Sequence, residues 1–446
     1  MRIRLSVSIP APTRSGGIIE YICTDSREVM PRDLFFSLAS DKDAGALHIA
    51  EALARGAILP TSLSLCDTDQ TEPHPDLWAL CREYMKRLCR LRQVVAVTGS
   101  VGKSTTTTLL ANILSRHVIT HSTHGNYNNA IGTPLSVLMA PADTEVLVLE
   151  LGMNHKGEIG ALSRLIRPTA AIITNIGTAH IGNLGSRSAI AEAKSEICNG
   201  MDGGYVICPH AEPYLSKIKN KLSLSVGDGG DFQLTVHSAD RYGSSFSLCS
   251  RFGNIENASL NIGGEHILYC AALALSAAML LGIPADELRR DAELLSEAPL
   301  RRSFTDLPGF TVFDDSYNAS YESLAADLFF MDKHRPRPLG ALIGDMLELG
   351  DDAEAIHRRI GILLAEHKMD SLYLFGEYAE VVKSGAVSHG LARKNIHIVP
   401  QAGYPHICAE LIEKYHKENE LILFKASHMI NLGEVLELLK SREIEK

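Results

Sequence analysis

The chain has 446 residues, of which 45% are hydrophobic and 22% are charged, and its formal net charge is −10. These proportions are typical of globular proteins and exclude a disordered, collagen-like or coiled-coil chain. At the usual domain size, the length predicts about two to four domains, with about three as the central expectation. The negative charge argues against nucleic acid or an anionic membrane as a partner, so an anionic substrate would need a locally basic site.

The nine cysteines are scattered and form no CxxC pair. This pattern favours reduced thiols in a cytosolic protein over a disulfide framework or a zinc ribbon. The N-terminus does not have the uninterrupted apolar stretch of a signal peptide. The segment Ile267–Ile283 is long and apolar enough to suggest a membrane span, but it is alanine-rich and is closed by Pro284. We interpret it as a buried interdomain helix and expect a cytoplasmic protein without a membrane span.

Three regions with different patterns of apolar and polar residues follow one another along the chain. Residues 1–90 mix short apolar runs with turns and contain the loop-like polar stretch Asp67–Pro75. In residues 91–299, helical patterns alternate with apolar runs that predict buried strands: Leu91–Val97, Val146–Leu149 and Ala170–Thr174. In residues 300–446 the alternation restarts, with predicted strands Phe310–Phe313, Leu339–Ile343, Ser371–Phe375 and Leu421–Phe424. Strands that alternate with helices predict parallel α/β sheets, the last region being a second doubly wound unit.

The strongest chemical signal is Thr98–Thr105, TGSVGKST, which follows a predicted strand and opens a predicted helix. A glycine-rich turn in that context presents backbone N–H groups and a helix N-terminus to a phosphate. Lys103 would reach the outer phosphates, and Ser104 would offer its hydroxyl to Mg²⁺. The shorter GxxGKS spacing, with Val97 where the generic loop has glycine, argues against common kinases and GTPases. The candidate ATP-binding residues of this loop are Gly99, Ser100, Val101, Gly102, Lys103, Ser104 and Thr105.

Further segments accompany this loop in a fixed order: Thr24–Arg27 (TDSR), Asn128–Pro134 (NNAIGTP), Glu150–Ile159 (ELGMNHKGEI), Thr174–His180 (TNIGTAH), Ala193–Ile197 (AKSEI), Asp314–Ala319 (DDSYNA) and Gly344–Gly350 (GDMLELG). Each of them alone is a weak signal, but the ordered set is specific. Over essentially its whole length the chain resembles the Mur ligases, and within them the MurF type. The DDSYNA segment separates it from the neighbouring ligase that adds the third amino acid.

The resemblance implies an α/β fold with a three-domain Mur ligase architecture. It implies an N-terminal UDP-substrate-binding domain at 1–90, a central ATP-binding domain with a P-loop ATPase-like parallel sheet at 91–299, and a C-terminal Rossmann-like doubly wound ligase domain at 300–446. The implied reaction is ATP-dependent ligation of D-alanyl-D-alanine to UDP-N-acetylmuramoyl-tripeptide through an acyl phosphate, in peptidoglycan precursor synthesis, with two magnesium ions. We expect a monomer. A Mur-fold ligase with another amino-acid substrate, and a nucleotide-binding relative without ligase activity, remain alternatives.

The resemblance also implies roles for individual side chains. Glu150 ends a predicted strand beside the phosphate loop, where a hard oxygen ligand for Mg²⁺ would lie, and a turn-capping carboxylate is the alternative. The implied metal ligands are Ser104, Glu150, His180 and Lys194, and the implied catalytic residues are Lys103, His180 and Lys194. Further ATP contacts are implied for Arg302, Asp315 and Asn318, and Tyr317 and Asn318 would hold adenine or the incoming dipeptide. For all four residues, a polar turn at the end of a strand is the alternative. Substrate contacts are implied for Ser26, Arg27, Asn128 and Asn129.

Lys194 has an unusual implied role, because in the resembled family this lysine carries a carbamate formed with carbon dioxide. A carbamate forms only from a neutral amine, so burial that lowers the pKa of the amine would favour it. From periodicity alone, the alternative is an ordinary helix lysine paired with Glu192 or Glu196.

The chain departs from the family pattern at positions outside the metal and phosphate groups. Cys270 stands where asparagine is usual, which puts one adenine contact in doubt. Tyr321 replaces a usual proline, and Arg301 replaces a glycine. Near the ends of the chain, the departures are Ser40 with Asp43-Ala44-Gly45 in the uridine-side loop, and Ala426 and His428 in the segment FKASH.

Overall fold

A computed structural model of the chain describes residues 1–10, 18–37, 42–60, 75–240, 243–295, 303–316, 319–347 and 349–444. Within these ranges the strands form three sheets, one in each of three successive segments of the chain. We refer to these segments as the N-terminal, middle and C-terminal units. The predicted polar loop Asp67–Pro75 lies outside the described residues except for its last residue.

The N-terminal unit is a small sheet with two helices. Its elements are β1 (Arg2–Pro10), β2 (Ile18–Cys23), β3 (Leu34–Phe35), α1 (Lys42–Ala54) and α2 (Pro75–Arg87). Strand β2 pairs with β1 antiparallel and with β3 parallel. Helix α2 packs against β1 on one side and the middle unit on the other, and the buried side chains of both units form one continuous hydrophobic core.

Two side chains of α2 fix that junction by hydrogen bonds to carbonyls of the middle unit. Trp78 Nε1 donates to the Ala130 carbonyl at 2.7 Å, and the Tyr84 hydroxyl donates to the Ala140 carbonyl at 2.6 Å. Both side chains are fully buried. Buried indole and phenol groups require such partners, so the first two units are held together by polar as well as apolar contacts.

The middle unit is a sheet with strand order β12-β11-β10-β9-β8-β7-β4-β6-β5. Its strands are β4 (Gln93–Thr98), β5 (Thr120–Ser122), β6 (Val146–Glu150), β7 (Ala170–Ile173), β8 (Tyr205–Pro209), β9 (Lys221–Val226), β10 (Phe232–Ala239), β11 (Ser244–Ser250) and β12 (Gly253–Leu260). Its helices are α3 (Lys103–Leu114), α4 (Gly132–Leu138), α5 (Glu158–Ile166), α6 (Ile181–Leu184), α7 (Arg187–Ser195), α8 (Glu265–Leu280) and α9 (Ala285–Leu294). All pairs from β5 to β10 are parallel, and β10, β11 and β12 pair antiparallel.

The central strands of this sheet carry the phosphate-binding sequence. Strand β4 lies between β6 and β7, so the loops that follow these three strands emerge at one edge of the sheet. The predicted strand Leu91–Val97 is observed two residues later at its start, because the Leu91 N–H closes a turn on the Leu88 carbonyl. The core strands are apolar on both faces because helices cover both sides of a parallel sheet.

Helix α8 corresponds to the apolar segment Ile267–Ile283, and it is buried as expected. Its interpretation as an interdomain helix is wrong, because α3, α9 and strands of the middle sheet surround it. At its start, Glu265 pairs with Lys333 of the C-terminal unit. Within the part of the chain that the structure describes, no helix is long and apolar enough to cross a membrane.

The C-terminal unit is a sheet of order β13-β14-β18-β15-β16-β17. Its strands are β13 (Ser303–Leu307), β14 (Phe310–Asp314), β15 (Leu339–Ile343), β16 (Ser371–Phe375), β17 (Ile396–Val399) and β18 (Glu420–Lys425). Its helices are α10 (Tyr321–Asp332), α11 (Ala353–Glu366), α12 (Ala379–Ser388), α13 (His406–Tyr415) and α14 (Gly433–Ile444). All pairs are parallel except β13 with β14, and apolar clusters line both faces, so the predicted doubly wound unit is confirmed.

Candidate active site

The phosphate loop connects β4 to α3 with two glycines in the left-handed region of φ. Gly99 has φ 151° and Gly102, directly before α3, has φ 82°. A Cβ at position 99 would lie 1.8 Å from Thr174 Oγ1, so no side chain fits there. A Cβ at position 102 would lie 2.8 Å from Cys270 Sγ. Both glycines are therefore required by backbone conformation and by space, and they turn the loop toward the N-terminus of α3.

A residue that sequence reasoning missed, Asn175, holds this loop. Its Oδ1 accepts hydrogen bonds from the N–H groups of Ser100 (3.2 Å) and Val101 (2.9 Å), and its Nδ2 donates to the Val101 carbonyl (3.0 Å). Thr174 Oγ1 donates to the same carbonyl. Because β7 is the neighbour of β4, the TNIGTAH segment that follows β7 lies against the loop that follows β4. That adjacency is the signal that could have identified Asn175.

The side chains of Ser104 and Glu150 contact each other at the end of β6, the strand next to β4. The Ser104 hydroxyl donates to Glu150 Oε2 at 2.7 Å, and Asn128 Nδ2 donates to Glu150 Oε1 at 2.7 Å. Glu150 is the last residue of β6 and is only 3% exposed. The carboxylate thus faces the first turn of α3 instead of capping the turn that follows its own strand. A buried carboxylate beside a hydroxyl is a hard oxygen donor set that fits Mg²⁺.

Two lysines converge on the carbonyl of Gly99. Lys103 Nζ donates to it at 2.8 Å and to the Ser100 carbonyl at 3.3 Å. Lys194 Nζ, from α7, donates to the same Gly99 carbonyl at 2.9 Å and is 1% exposed. Burial lowers the pKa of Lys194 well below its ordinary value, and the nearby Lys103 charge lowers it further.

The alternative that pairs Lys194 with a helix carboxylate is wrong. Glu192 pairs with Lys156 instead, at 3.1 Å. Glu196 accepts hydrogen bonds from the backbone N–H groups of Gly157 and Gly160. Lys194 instead lies on the side of α7 that faces the phosphate loop at the end of the sheet.

His180 lies in the loop that follows β7, directly before α6. Its φ of 66° is left-handed, and the Ile181 N–H donates to the Thr178 carbonyl at 3.0 Å, so residues 178–181 form a closed turn. Among the described residues, no three His, Cys, Asp or Glu side chains are grouped so that they could hold a metal ion by themselves.

In the C-terminal unit, the residue expected to contact ATP is held by a buried lysine. Lys425 ends β18, is 1% exposed, and pairs with Asp315 and, at 2.9 Å, with Asp327 of α10. The two carboxylates raise the pKa of Lys425 against the opposing effect of burial, so it stays a cation. Arg302, Tyr317 and Asn318 lie outside the described residues.

The residues expected to bind substrate occupy two separate places. Ser26 donates to Glu51 at 2.6 Å, and Arg27 forms an exposed ion pair with Asp25. Asn129 Oδ1 accepts the N–H groups at the start of α4, from residues 131 and 132, so it orders that turn. Asn128 instead donates its hydrogen bond to Glu150, beside the phosphate loop.

The departures from the family pattern fall on packing positions where the structure describes them. Cys270 is buried beneath Gly102, and burial raises the pKa of its thiol to about 11. Tyr321 begins α10, with its ring 4.4 Å from the Arg359 guanidinium. Ala426 is fully buried, and a Cβ on Gly344 would lie 2.8 Å from its methyl group. The remaining departures, Ser40, Arg301 and the side chains of 43–45 and His428, lie outside the described residues.

Comparison with known proteins gives two family matches and a full-length relative. The Mur ligase middle domain matches residues 97–278, and the Mur ligase glutamate ligase domain matches residues 301–428. A UDP-N-acetylmuramoyl-tripeptide–D-alanyl-D-alanine ligase of Bacillus subtilis is 33% identical over 442 residues, which cover 95% of this chain and 94% of the relative. The chain belongs to the MurF family of Mur ligases. The resemblance read from the ordered motifs is confirmed.

Solved MurF structures have the same fold over nearly the whole chain. A crystal structure of MurF from Acinetobacter baumannii superposes with a TM-score of 0.82 at 28% identity, covering 96% of this chain and 94% of that one. MurF from Thermotoga maritima in complex with ADP superposes with a TM-score of 0.78 at 27% identity, covering 94% and 98%. The expected Mur ligase architecture of the α/β class is confirmed.

Proposed function

We propose that this MurF-family ligase joins D-alanyl-D-alanine to UDP-N-acetylmuramoyl-tripeptide with ATP, giving the pentapeptide precursor of peptidoglycan, ADP and phosphate. The observation that carries the proposal is the convergence of Lys103, Ser104, Glu150 and Lys194 around one loop, in a chain that matches such a ligase over 95% of its length. A chain that had lost the reaction would have no reason to bury Glu150 and Lys194 at this loop, since buried charged groups destabilise a fold.

In the proposed reaction, the tripeptide carboxylate attacks the γ-phosphorus of ATP, forming an acyl phosphate while the bond to ADP breaks. The dipeptide amine then attacks the acyl carbon, loses a proton, and phosphate leaves with the electrons of the C–O bond. Lys103 stabilises the charge that develops on the transferred phosphate, after its ammonium leaves the Gly99 carbonyl for the phosphate oxygens. The Gly102 turn and the start of α3 supply backbone N–H groups to the remaining phosphates.

For magnesium, we propose Ser104 and Glu150 as ligands of one ion, and His180 and Lys194 as groups that hold a second. The donor set of the first pair supports this, because a buried carboxylate and a hydroxyl lie 2.7 Å apart. Bound magnesium would neutralise phosphate charge and polarise the bonds that react. An amine is a poor magnesium ligand, so the second site depends on the modification of Lys194.

We propose that Lys194 carries a carbamate in the active protein. The protonated amine first loses a proton, and the neutral amine then attacks carbon dioxide. An N–C bond forms and a second proton leaves, so a cation is replaced by an anion. The burial of Lys194 and the lowered pKa of its amine support this step, because they increase the neutral fraction. Lys103, which disfavours a second cation next to it, would favour an anion.

We also propose the remaining contacts by family position. Gly99, Ser100, Val101, Gly102, Thr105, Arg302, Asp315 and Asn318 would hold ATP, and Ser26, Arg27, Asn128 and Asn129 would hold the UDP-tripeptide. Asp315 is suited to ribose hydroxyls because its ion pair with the buried Lys425 holds the carboxylate in place. The protein would act as a monomer.

We propose that residues 1–90, 91–299 and 300–446 act as three domains, of which the first two move together. Their shared core supports this grouping, because separating them would expose buried apolar area and break the Trp78 and Tyr84 hydrogen bonds. The C-terminal unit would then close as a body over ATP and the acyl phosphate, excluding water.

The deciding experiment measures phosphate release from ATP by the purified full chain with UDP-N-acetylmuramoyl-tripeptide, with and without D-alanyl-D-alanine. Two tripeptides, with lysine and with diaminopimelate as third residue, cover the common substrates. We expect release that depends on both substrates, and a product heavier than the tripeptide by one dipeptide less water. L-alanyl-L-alanine and single amino acids serve as controls. Equal release without dipeptide, or release with another amino acid only, would contradict the proposal.

A further inference from the structure

Helix α10 of the C-terminal unit contacts the middle unit at both of its ends. At its N-terminal end, Glu322 Oε1 accepts a hydrogen bond from the Thr178 N–H at 2.7 Å, and Oε2 accepts one from the Thr178 hydroxyl at 3.2 Å. Just past its C-terminal end, Lys333 Nζ pairs with Glu265 of α8 at 2.8 Å. The Glu322 carboxylate therefore accepts hydrogen bonds from both the backbone N–H and the hydroxyl of one residue in the TNIGTAH segment.

Two glycines let the C-terminal unit approach this segment closely. A Cβ on Gly177 would lie 2.9 Å from the Glu322 carboxyl carbon. A Cβ on Gly182 would lie 2.3 Å from the backbone nitrogen of Gly350. Residues 177–182 are thus enclosed between α10 and the turn at Gly350–Asp352, both from the C-terminal unit.

Glu322 is mounted on a rigid support. Ser320 and Ser323 form a reciprocal capping box that fixes the start of α10. Asp327, in the middle of the helix, pairs with the buried Lys425 at the end of β18, so the helix is anchored to the C-terminal sheet. Movement of the C-terminal unit must therefore move the Glu322 carboxylate with it.

We propose that Glu322 is a positioning residue that fixes the turn of residues 178–181, and with it His180, when the C-terminal unit is docked. The Thr178 carbonyl accepts the Ile181 N–H, so the turn moves as one piece with Thr178. The role of His180 in this inference rests on the proposed function. Closure of the C-terminal unit then completes the site by ordering a loop that belongs to the middle unit.

The direct test is amide hydrogen exchange of the full chain, followed at Thr178 and across residues 174–184. In Glu322→Ala the Thr178 N–H loses its charge-assisted acceptor, so we expect its exchange to rise by about tenfold or more. Glu322→Gln keeps an acceptor without the charge, so its Thr178 exchange rate should lie between those of the parent and the alanine variant. Lys333→Ala is the matched control, because it removes the contact at the other end of α10 and should leave Thr178 exchange unchanged.

The second readout is kinetic. Glu322→Ala should lower kcat and raise the Mg²⁺ concentration for half-maximal rate, with Glu322→Gln partly rescuing both and the melting temperature unchanged. Unchanged Thr178 exchange in Glu322→Ala, or an equal rise in Lys333→Ala, would overturn the proposal. A parent chain without dipeptide-dependent phosphate release would instead refute the proposed function, and the exchange result would still decide whether Glu322 orders the turn.

Discussion

The Ser104 hydroxyl donates a hydrogen bond of 2.7 Å to the carboxylate of Glu150, although 46 positions separate them in the chain. The contact follows from sheet order, because β4 and β6 are parallel neighbours and the residues after their carboxyl ends meet at one edge. It joins the phosphate loop to the residue best suited to bind magnesium beside it. The same edge receives Asn175 and Lys194 from the loops and helices after β7.

The phosphate loop gives the first prediction. Lys103→Ala removes the mobile cation expected at the transferred phosphate, and we expect kcat to fall by about 10²–10³, roughly 3–4 kcal/mol. Steady-state phosphate release measures the change. Lys156→Ala is the control, since Lys156 forms an exposed pair with Glu192 and should leave the rate unchanged. Near-normal turnover by the Lys103 variant would show that this loop is not the ATP site.

Much of the site could be predicted from sequence because its parts follow buried strands. The apolar runs 339–343 and 371–375 are strands with the expected bounds, and the glycine loop begins where β4 ends. Because β4, β6 and β7 are neighbours in a parallel sheet, the segments at their carboxyl ends, TGSVGKST, Glu150 and TNIGTAH, lie together. Local sequence patterns are sufficient to predict such site residues, because each of them directly follows or ends a recognisable strand.

The remaining features depend on how separate elements pack, within one unit or between units, which no local pattern records. The Glu322–Thr178 contact and the pairing of Lys425 with Asp327 join residues whose sequence neighbours indicate only a helix and a strand. Helix α8 was expected between domains because an apolar helix of that length must be buried, but its pattern does not say against what. The shared core of the first two units was not foreseen for the same reason.

That shared core leads to a stability prediction at Trp78, the one tryptophan of the chain. Trp78→Ala should destabilise the chain by about 3–5 kcal/mol, because it leaves a cavity between two units. Trp78→Phe should cost about 1–3 kcal/mol, since it fills most of the space but leaves the Ala130 carbonyl without its donor. Urea unfolding followed by circular dichroism measures both values. Phe329→Ala, at an exposed site, should change stability by less than about 0.5 kcal/mol. A similarly small effect at Trp78 would contradict the shared core.

A buried histidine gives a prediction for pH. His357 Nε2 accepts the Met346 N–H at 3.0 Å, and Nδ1 lies 2.7 Å from the Ala353 carbonyl, so the geometry assigns a neutral ring with its proton on Nδ1. Burial lowers the pKa of His357 below its ordinary value of 6.5. Its contribution to stability is therefore complete above pH 6.5 and is lost as the pH falls from there toward the folded-state pKa.

Unfolding free energies measured between neutral and mildly acidic pH test this assignment. His357→Gln should reduce the acid-side slope by up to about 1.4 kcal/mol per pH unit, because only the parent's unfolded state takes up that proton. Some slope should remain, since burial also lowers the pKa of His121 and His397. His155→Gln, at an exposed position, is the control. An unchanged slope in His357→Gln would show that the folded state accepts the proton.

The last prediction concerns Lys194, whose protonated amine and whose proposed carbamate would carry opposite charges. Lys194→Ala should be nearly inactive, and a small acid such as acetate should enter the vacated space and restore part of the rate. An anion replaces the lost group only if the native group is an anion, whereas a missing ammonium would be restored by an added amine. Ethylamine is therefore the matched control additive. Isotopically labelled bicarbonate should give a carbamate carbon resonance in the parent and none in Lys194→Ala. Activity of the variant within a few-fold of the parent, without bicarbonate or added acid, would exclude the carbamate. Rescue by ethylamine alone would assign Lys194 a cationic role.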